Sequence, residues 1–194
     1  MALTLSLRRN ATPAPERTAD DVTELIRRCT AGEARAQRVF YDRYYRLVLG
    51  VTSRYAVDQQ QARDYLNQAF LKALASLNQF RGESELGGWL RKIAVNVCLT
   101  QLRIRRNESY AELPDSERER AETPRALQQL ALEDLVRLIQ QLPAVPRAVF
   151  NLTAVEGLSH KEAARRLGIK EATSRYHLRQ ARLRLQAALK NLNR

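Results

Sequence analysis

The stretch Ser159-His-Lys-Glu-Ala-Ala-Arg-Arg-Leu-Gly168 decides the fold of the C-terminal part of the chain. Ser159 and Glu162 have the spacing of a capping box, in which the serine accepts a hydrogen bond from the backbone three residues on and the glutamate reaches back. This pair starts a short helix, and Gly168 supplies the turn that ends it. A longer, basic helix is predicted to begin near Glu171. A short capped helix, a tight turn and a second helix are together typical of a helix-turn-helix.

The helix after Gly168 has an inward stripe and an opposite basic face. At about 100° per residue, the stripe consists of Ser174, Leu178, Ala181 and Leu185. Arginine can bind guanine edges and glutamine can bind adenine edges in the major groove. The residues that we expect to contact duplex DNA are Thr173, Arg175, Tyr176, Arg179, Gln180 and Arg182. A merely solvated face is the alternative, but the capping box, the turn and the basic helix occur together, which favours DNA.

The rest of the sequence also predicts helices. Between residues 21 and 106, apolar residues recur at helical spacing in four segments, and the fourth segment begins near Trp89. We find no useful alternating strand pattern and no hairpin signal. Residues 107–126 are polar, contain Pro114 and Pro124, and carry more acidic than basic side chains, which is typical of a linker.

The sequence therefore predicts an all-α protein with two small helical domains joined by a flexible linker, the C-terminal domain being the helix-turn-helix. The expected division is a flexible N-terminal tail (1–20), a first domain (21–106), the linker (107–126) and a second domain (127–194).

The charge of the chain favours a polyanionic partner. Lys and Arg number 33 against 21 Asp and Glu, which gives a net charge of +12. Neutralising phosphates releases condensed counterions, so this excess suits nucleic acid, although an anionic membrane or ribosomal RNA would suit the same charge. No apolar stretch approaches the ~20 residues that span a bilayer, and no secretory signal is evident. We therefore expect a cytoplasmic protein that does not insert into a membrane.

The residues that could carry catalysis or bind metal are few. Cys29 and Cys98 lie far apart, which favours two buried thiols in a reducing cytoplasm over a disulfide. His160 and His177 are the only histidines, and we expect both to be polar surface residues. Without a metal-ligand cluster or a nucleophile–base pair, we expect no metal site, no cofactor and no enzymatic activity.

The motifs of both halves resemble the extracytoplasmic-function (ECF) group of bacterial sigma factors, within the sigma-70 family. In the C-terminal half, the residues that carry this resemblance are Leu142-Pro143, Arg147, Phe150, Glu156 through Ala164, Leu167 through Ile169 and Thr173 through Arg182. In the N-terminal half they are Ala62 through Lys72, Phe80-Arg-Gly-Glu-Ser84 and Trp89 through Asn96. The resemblance implies a cytoplasmic transcription-initiation factor that binds the RNA polymerase core and recognises promoter DNA.

The resemblance also implies a role for each segment. The second domain would dock on the polymerase flap and recognise the minus-35 element, and the first would bind the polymerase clamp and the minus-10 element. The residues implied in clamp binding are Asp64, Asn67 and Gln68. The residues implied in minus-10 binding are Phe80, Arg81, Gly82, Glu83, Ser84, Lys92, Asn96 and Arg103. An anti-sigma factor is a further implied partner.

Residue chemistry gives independent support for the minus-10 set. Asn96 can bond a base edge while arginines such as Arg103 hold phosphates. Phe80 could be either a core residue or an anchor of the loop in which an extruded base stacks. For Trp89 we expect core packing.

Two departures from the family pattern carry expectations of their own. Gln61, Arg63, Asn67 and Gln68 stand where the family has an acidic cluster, so charge-assisted bonds to clamp arginines should be fewer. Ser174 replaces a frequent valine, and a serine that faces the core is tolerable if its hydroxyl bonds a carbonyl one turn back.

Two other functions fit part of the sequence. A helix-turn-helix regulator that acts without core polymerase would need only the C-terminal half. An RNA-binding or ribosome-associated protein would fit the charge, but the sequence lacks the aromatic-rich sheet of common RNA modules.

Overall fold

The computed structural model describes residues 19–82, 85–109 and 132–192, and this part of the chain contains helices and no strands. The all-α prediction is therefore confirmed. The α-helices are α1 (Ala19–Thr30), α2 (Ala34–Tyr55), α3 (Gln59–Ser76), α4 (Leu86–Ser109), α5 (Leu132–Gln140), α6 (Ala144–Phe150), α7 (His160–Leu167) and α8 (Glu171–Leu192). A 3₁₀ turn (Leu77–Gln79) follows α3, and a π-helical turn (Asn151–Val155) follows α6.

The chain divides into two compact units, Met1–Cys98 and Leu99–Arg194. Of the predicted linker, residues 107–109 form the end of α4, and residues 110–126 lie outside the described part. Of the predicted tail, residues 1–18 lie outside it and α1 begins at Ala19. The domain limits expected from the sequence remain a prediction.

The core of the first unit is aromatic. Phe40 of α2 is 0% exposed, and its ring meets the ring of Phe70 on α3 edge-on, with 5.9 Å between centroids. The ring of Tyr41 also contacts the ring of Phe70, with 4.6 Å between centroids. Such tilted and edge-on pairs add about 0.5–1.5 kcal/mol to the burial of the rings. This packing fixes α2 against α3.

Particular residues fix where helices α3 and α4 of the first unit begin. Asp58 starts α3, because its carboxylate accepts a hydrogen bond from the Gln61 N–H at 2.8 Å. At the start of α4, Leu86 is buried, and a Cβ added to Gly87 would lie 3.3 Å from Leu47 Cδ1. The absence of a side chain at Gly87 therefore lets α4 begin close to α2.

The second unit contains the predicted helix-turn-helix. Ser159 Oγ accepts from the Glu162 N–H at 3.2 Å, and the Ser159 N–H donates to Glu162 Oε2 at 2.9 Å. The Ser159 hydroxyl also donates to Glu162 Oε2 at 2.7 Å, and this bond, followed by the one from the Ser159 N–H, holds the pKa of Glu162 below its ordinary value. Gly168 ends α7 at φ +65°, a left-handed conformation that glycine adopts without strain. The capping box and the turn predicted from the sequence are both confirmed.

Buried polar side chains join the shorter helices of the second unit. Arg147 is buried and donates from Nη1 to the carbonyl of Gln140, the last residue of α5, at 3.1 Å. The buried Asn151 donates from Nδ2 to the Arg147 carbonyl at 3.0 Å. The first bond joins α6 to the last carbonyl of α5. In the second, the Asn151 side chain shares the Arg147 carbonyl with the Asn151 backbone N–H.

Both cysteines are buried free thiols, as expected. Burial raises the pKa of Cys98 to about 12, so its reactive thiolate form is disfavoured.

Candidate nucleic-acid interface

The inward face of α8 is the one predicted from the sequence. Ser174, Leu178, Ala181 and Leu185 are all buried. Helix α8 packs against α5, α6 and α7, so these four residues attach it to the rest of the unit. The opposite face of α8 is consequently directed to solvent.

The six predicted duplex-contacting residues lie on the outer and flanking faces of α8. Arg175, Tyr176, Arg179 and Arg182 are exposed, and Thr173 and Gln180 are partly exposed. Tyr176 is 59% exposed, and its ring meets the ring of His177 edge-on, with 5.5 Å between centroids. This surface combines guanidinium and amide donors with an apolar ring, and all three groups can contact base edges.

The hydroxyl of Ser174 on α8 forms a hydrogen bond with a side chain of α7. Its hydroxyl lies 3.0 Å from His160 Nδ1, the first residue of α7, and the residue is 0% exposed. The hydroxyl is thus satisfied by an imidazole that α7 brings within reach, and not by a carbonyl one turn back. A hydrogen bond therefore joins the two helices of the helix-turn-helix near the start of α8.

His160 and His177 are both partly buried, so the expectation that they are polar surface residues was wrong. His160 is half-buried against Ser174, and burial lowers its pKa, with Arg175 and Arg182 lowering it further and Glu171 opposing. His177 is half-buried, its Nδ1 is buried without a hydrogen-bond partner, and burial lowers its pKa. Both rings are consequently favoured in the neutral form.

The first unit contributes a loop between the 3₁₀ turn and α4. The ring of Phe80, at the start of this loop, contacts the ring of Trp89 in the first turn of α4, with 5.6 Å between centroids at 62°. Both residues are half-buried, so Trp89 is not the fully buried core residue that we expected, and the role of Phe80 as an anchor of the binding loop stays a prediction. The two rings cover each other in part.

The structure describes five of the remaining seven residues of the predicted minus-10 set. Arg81 and Gly82 are exposed, and Gly82 adopts φ +72°. Lys92, Asn96 and Arg103 are exposed on α4. Glu83 and Ser84 lie outside the described residues.

The predicted clamp-binding residues share one face of α3. Asp64 and Asn67 are exposed and Gln68 is half-buried, and Asp64 Oδ1 lies 3.4 Å from Gln60 Nε2. Sequence reasoning missed Leu71, which lies on the same face and is 69% exposed. Its spacing of four from Asn67 was the available signal, since it places an apolar side chain on a polar face. A single exposed leucine is common on protein surfaces, so Leu71 is a candidate only because it lies beside the predicted clamp-binding residues.

No group of three or more His, Cys, Asp or Glu residues that could hold a metal ion occurs in the described ranges. Within the same ranges, no helix combines the length and apolar character needed to span a bilayer.

Two family models match the chain. The Sigma-70 region 2 model matches residues 40–108, and the Sigma-70, region 4 model matches residues 132–185. Together these matches include both the α3–α4 segment and the helix-turn-helix.

Curated relatives match over most of their length. The RNA polymerase sigma-H factor of Pseudomonas aeruginosa is 30% identical over 183 residues, which cover 88% of this chain and 95% of the relative. The ECF RNA polymerase sigma-E factor of Escherichia coli is 30% identical over 170 residues, or 81% of this chain and 88% of the relative. The ECF RNA polymerase sigma factor SigM of Mycobacterium tuberculosis is 29% identical over 170 residues, which cover 88% of this chain and 85% of the relative. A solved structure of the sigma factor RpoE in complex with the anti-sigma factor NepR from Bartonella quintana covers 89% of this chain and 98% of its own, at 24% identity and a TM-score of 0.49.

Proposed function

The chain belongs to the extracytoplasmic-function group of the sigma-70 family, and we propose that it contacts promoter DNA through two separate surfaces, one in each domain. As a member of this family it binds the RNA polymerase core and directs promoter-specific transcription initiation. We also infer that it catalyses no reaction itself and that an anti-sigma factor is among its partners.

The minus-35 surface is the outer face of α8. The observation that carries this proposal is the exposure of Arg175, Arg179 and Arg182 on a helix whose opposite face is buried. A helix with this arrangement can enter the major groove, where arginine forks bind guanine and phosphates. Thr173, Tyr176 and Gln180 complete the proposed surface.

The minus-10 surface combines the loop anchored by Phe80 with the exposed edge of α4. The Phe80–Trp89 contact holds the start of the loop, and Lys92 and Asn96 extend the surface along the helix. Aromatic rings and amides at such a surface suit unpaired bases, which can stack and form hydrogen bonds. Arg81, Gly82, Glu83, Ser84 and Arg103 belong to the same proposal.

The clamp-binding surface consists of Asp64, Asn67, Gln68 and Leu71 on α3. Two of these side chains are amides, so apolar contact by Leu71 should supply part of the affinity that carboxylates would otherwise supply. This surface explains the N-terminal motifs, which a regulator acting without core polymerase would leave unused.

Reconstitution tests the whole proposal. Core polymerase together with this protein should produce run-off transcripts from a genomic fragment that carries its promoter, and core alone should not. Leu71→Asp should weaken binding to core by about tenfold or more. Val39→Asp, which changes a similarly exposed apolar residue on α2, serves as the control and should bind normally. Loss of transcription by both variants, or by neither, would contradict the placement of the clamp surface.

A further inference from the structure

The recognition helix α8 contains one acidic residue, Glu171, together with five Lys and Arg residues. Glu171 Oε1 lies 2.6 Å from Arg175 Nη2, and the two side chains are 42% and 65% exposed. Arg182 lies on the same flank of the helix, two turns beyond Arg175 at helical spacing. A carboxylate is thus held among the cations of a surface that is proposed to face phosphates.

The carboxylate occupies one edge of the Arg175 guanidinium. Guanidinium has five N–H donors in a fixed planar fork, so the donors not used by Glu171 still point in defined directions. A phosphate or base edge in register with those donors can bind while the Glu171–Arg175 pair stays intact. A phosphate that is out of register must displace the carboxylate or approach its negative charge.

We propose that Glu171 is a specificity-determining residue, which holds the Arg175 guanidinium and thereby weakens binding to DNA that is out of register. This inference rests on the proposed function of α8 as the duplex-contacting helix. Non-specific binding depends almost entirely on phosphate contacts, and it is therefore the mode that the carboxylate opposes most. Removal of the carboxylate should tighten non-specific binding more than specific binding.

A purely structural role of Glu171 predicts the opposite sign. An acidic residue in the first turn stabilises a helix by interaction with its dipole, so its loss would loosen α8 and weaken DNA binding. Tighter binding after Glu171→Gln cannot result from partial unfolding. The direction of the change therefore separates the two roles.

The experiment uses core polymerase reconstituted with the full chain and two promoter fragments. One fragment carries the upstream element selected by the wild-type protein from a random library, and the other carries a scrambled upstream element. Binding is measured at several salt concentrations. The matched control is Asp134→Asn, which also removes one negative charge from an exposed acid–arginine pair, Asp134–Arg137, located on α5.

Glu171→Gln should bind the scrambled fragment more tightly and should discriminate between the fragments about threefold less. One additional phosphate contact should make its affinity fall about threefold further between roughly 50 and 200 mM salt. Asp134→Asn should leave the discrimination and the salt dependence at wild-type values. In an Arg175→Gln background, Glu171→Gln should have a smaller effect, because only the direct repulsion between the carboxylate and phosphate remains.

Three results would overturn the inference: unchanged or weaker binding by Glu171→Gln, the same change in Asp134→Asn, or an undiminished effect in the Arg175→Gln background. A separate variant distinguishes failure of this inference from failure of the proposed function. If Arg179→Ala lowers discrimination while Glu171→Gln has no effect, only the inference fails. If neither Arg179→Ala nor Arg175→Gln changes binding to either fragment, α8 is not the duplex-contacting helix.

Discussion

The two units position their candidate DNA-binding helices by different physical means. In the first, α2 and α3 are held by aromatic contacts around Phe40, and the loop before α4 is held by the Phe80–Trp89 contact. In the second, apolar residues such as Leu178 also attach α8, and the Arg147–Gln140 and Ser174–His160 hydrogen bonds add directional contacts between helices. Aromatic packing depends on volume, whereas the polar bonds depend on atom positions and protonation. The two units should therefore respond differently to substitution and to pH.

The largest effect is expected in the aromatic core. Phe40→Ala should lower the free energy of unfolding by about 3–5 kcal/mol, because it leaves a cavity where a fully buried ring contacted its neighbours. Chemical denaturation followed by circular dichroism measures this loss. Val39→Ala, at the adjacent exposed position, should change it by less than about 0.5 kcal/mol. Equal losses in the two variants would contradict the proposed core.

The next largest effect is expected at the buried hydrogen bond between Arg147 and the Gln140 carbonyl in the second unit. Arg147→Met keeps an unbranched apolar stem of similar reach but removes the donor to the Gln140 carbonyl, so we expect a loss of about 1.5–3 kcal/mol in unfolding free energy. The control Arg165→Met removes an exposed guanidinium from α7 and should change the stability by less than about 0.5 kcal/mol. A stabilised Arg147→Met protein would mean that the arginine is dispensable to packing.

A smaller effect is expected at the start of α7. Ser159→Ala removes the hydroxyl of the capping box and should destabilise the protein by about 1 kcal/mol. Ser76→Ala removes a hydroxyl that only bonds the Lys72 carbonyl one turn back in α3, and it should change the stability by less than about 0.5 kcal/mol. Denaturant midpoints of the two variants provide the comparison, and a larger loss for Ser76→Ala would contradict it.

The smallest effect separates the units by pH. His160 and His177 are the only histidines, and both lie in the helix-turn-helix with pKa values lowered from 6.5. Because the folded state disfavours their protonation, the stability that they contribute is present above pH 6.5 and is lost as the pH falls below it. Protection factors from hydrogen exchange, which correct for the pH dependence of the intrinsic exchange rate, should fall for α7 and α8 over that range and stay constant for α2 and α3. The double variant His160→Gln/His177→Gln should lack this loss of protection, and its persistence would assign the pH dependence to other groups.

Much of the second unit was predictable because its signals are local in sequence. The capping box, the turn at Gly168 and the inward stripe of α8 involve residues within one or two helical turns of each other, and the structure confirms all three. The site residues assigned along α8 follow from the same helical phase.

The features that sequence reasoning missed depend on contacts between separate elements. The bond between Ser174 and His160 spans 14 residues, and the partial burial of His160 follows from the packing of α7 on α8. The mutual coverage of Phe80 and Trp89 likewise depends on how the loop returns to α4. Helical periodicity gives the side of a helix on which a residue lies, but it does not identify the partner on the next helix.

The most direct test of the central claim is the base preference of Arg179→Ala in core polymerase reconstituted with the full chain. Selection of upstream elements from a random library should show that this variant loses the wild-type preference at one or two positions, at a cost of about 1–3 kcal/mol on the wild-type element. Arg103→Ala, on α4, should weaken promoter binding with the upstream preference unchanged. An unaltered upstream preference in Arg179→Ala would contradict the assignment of α8 as the helix that recognises the minus-35 element.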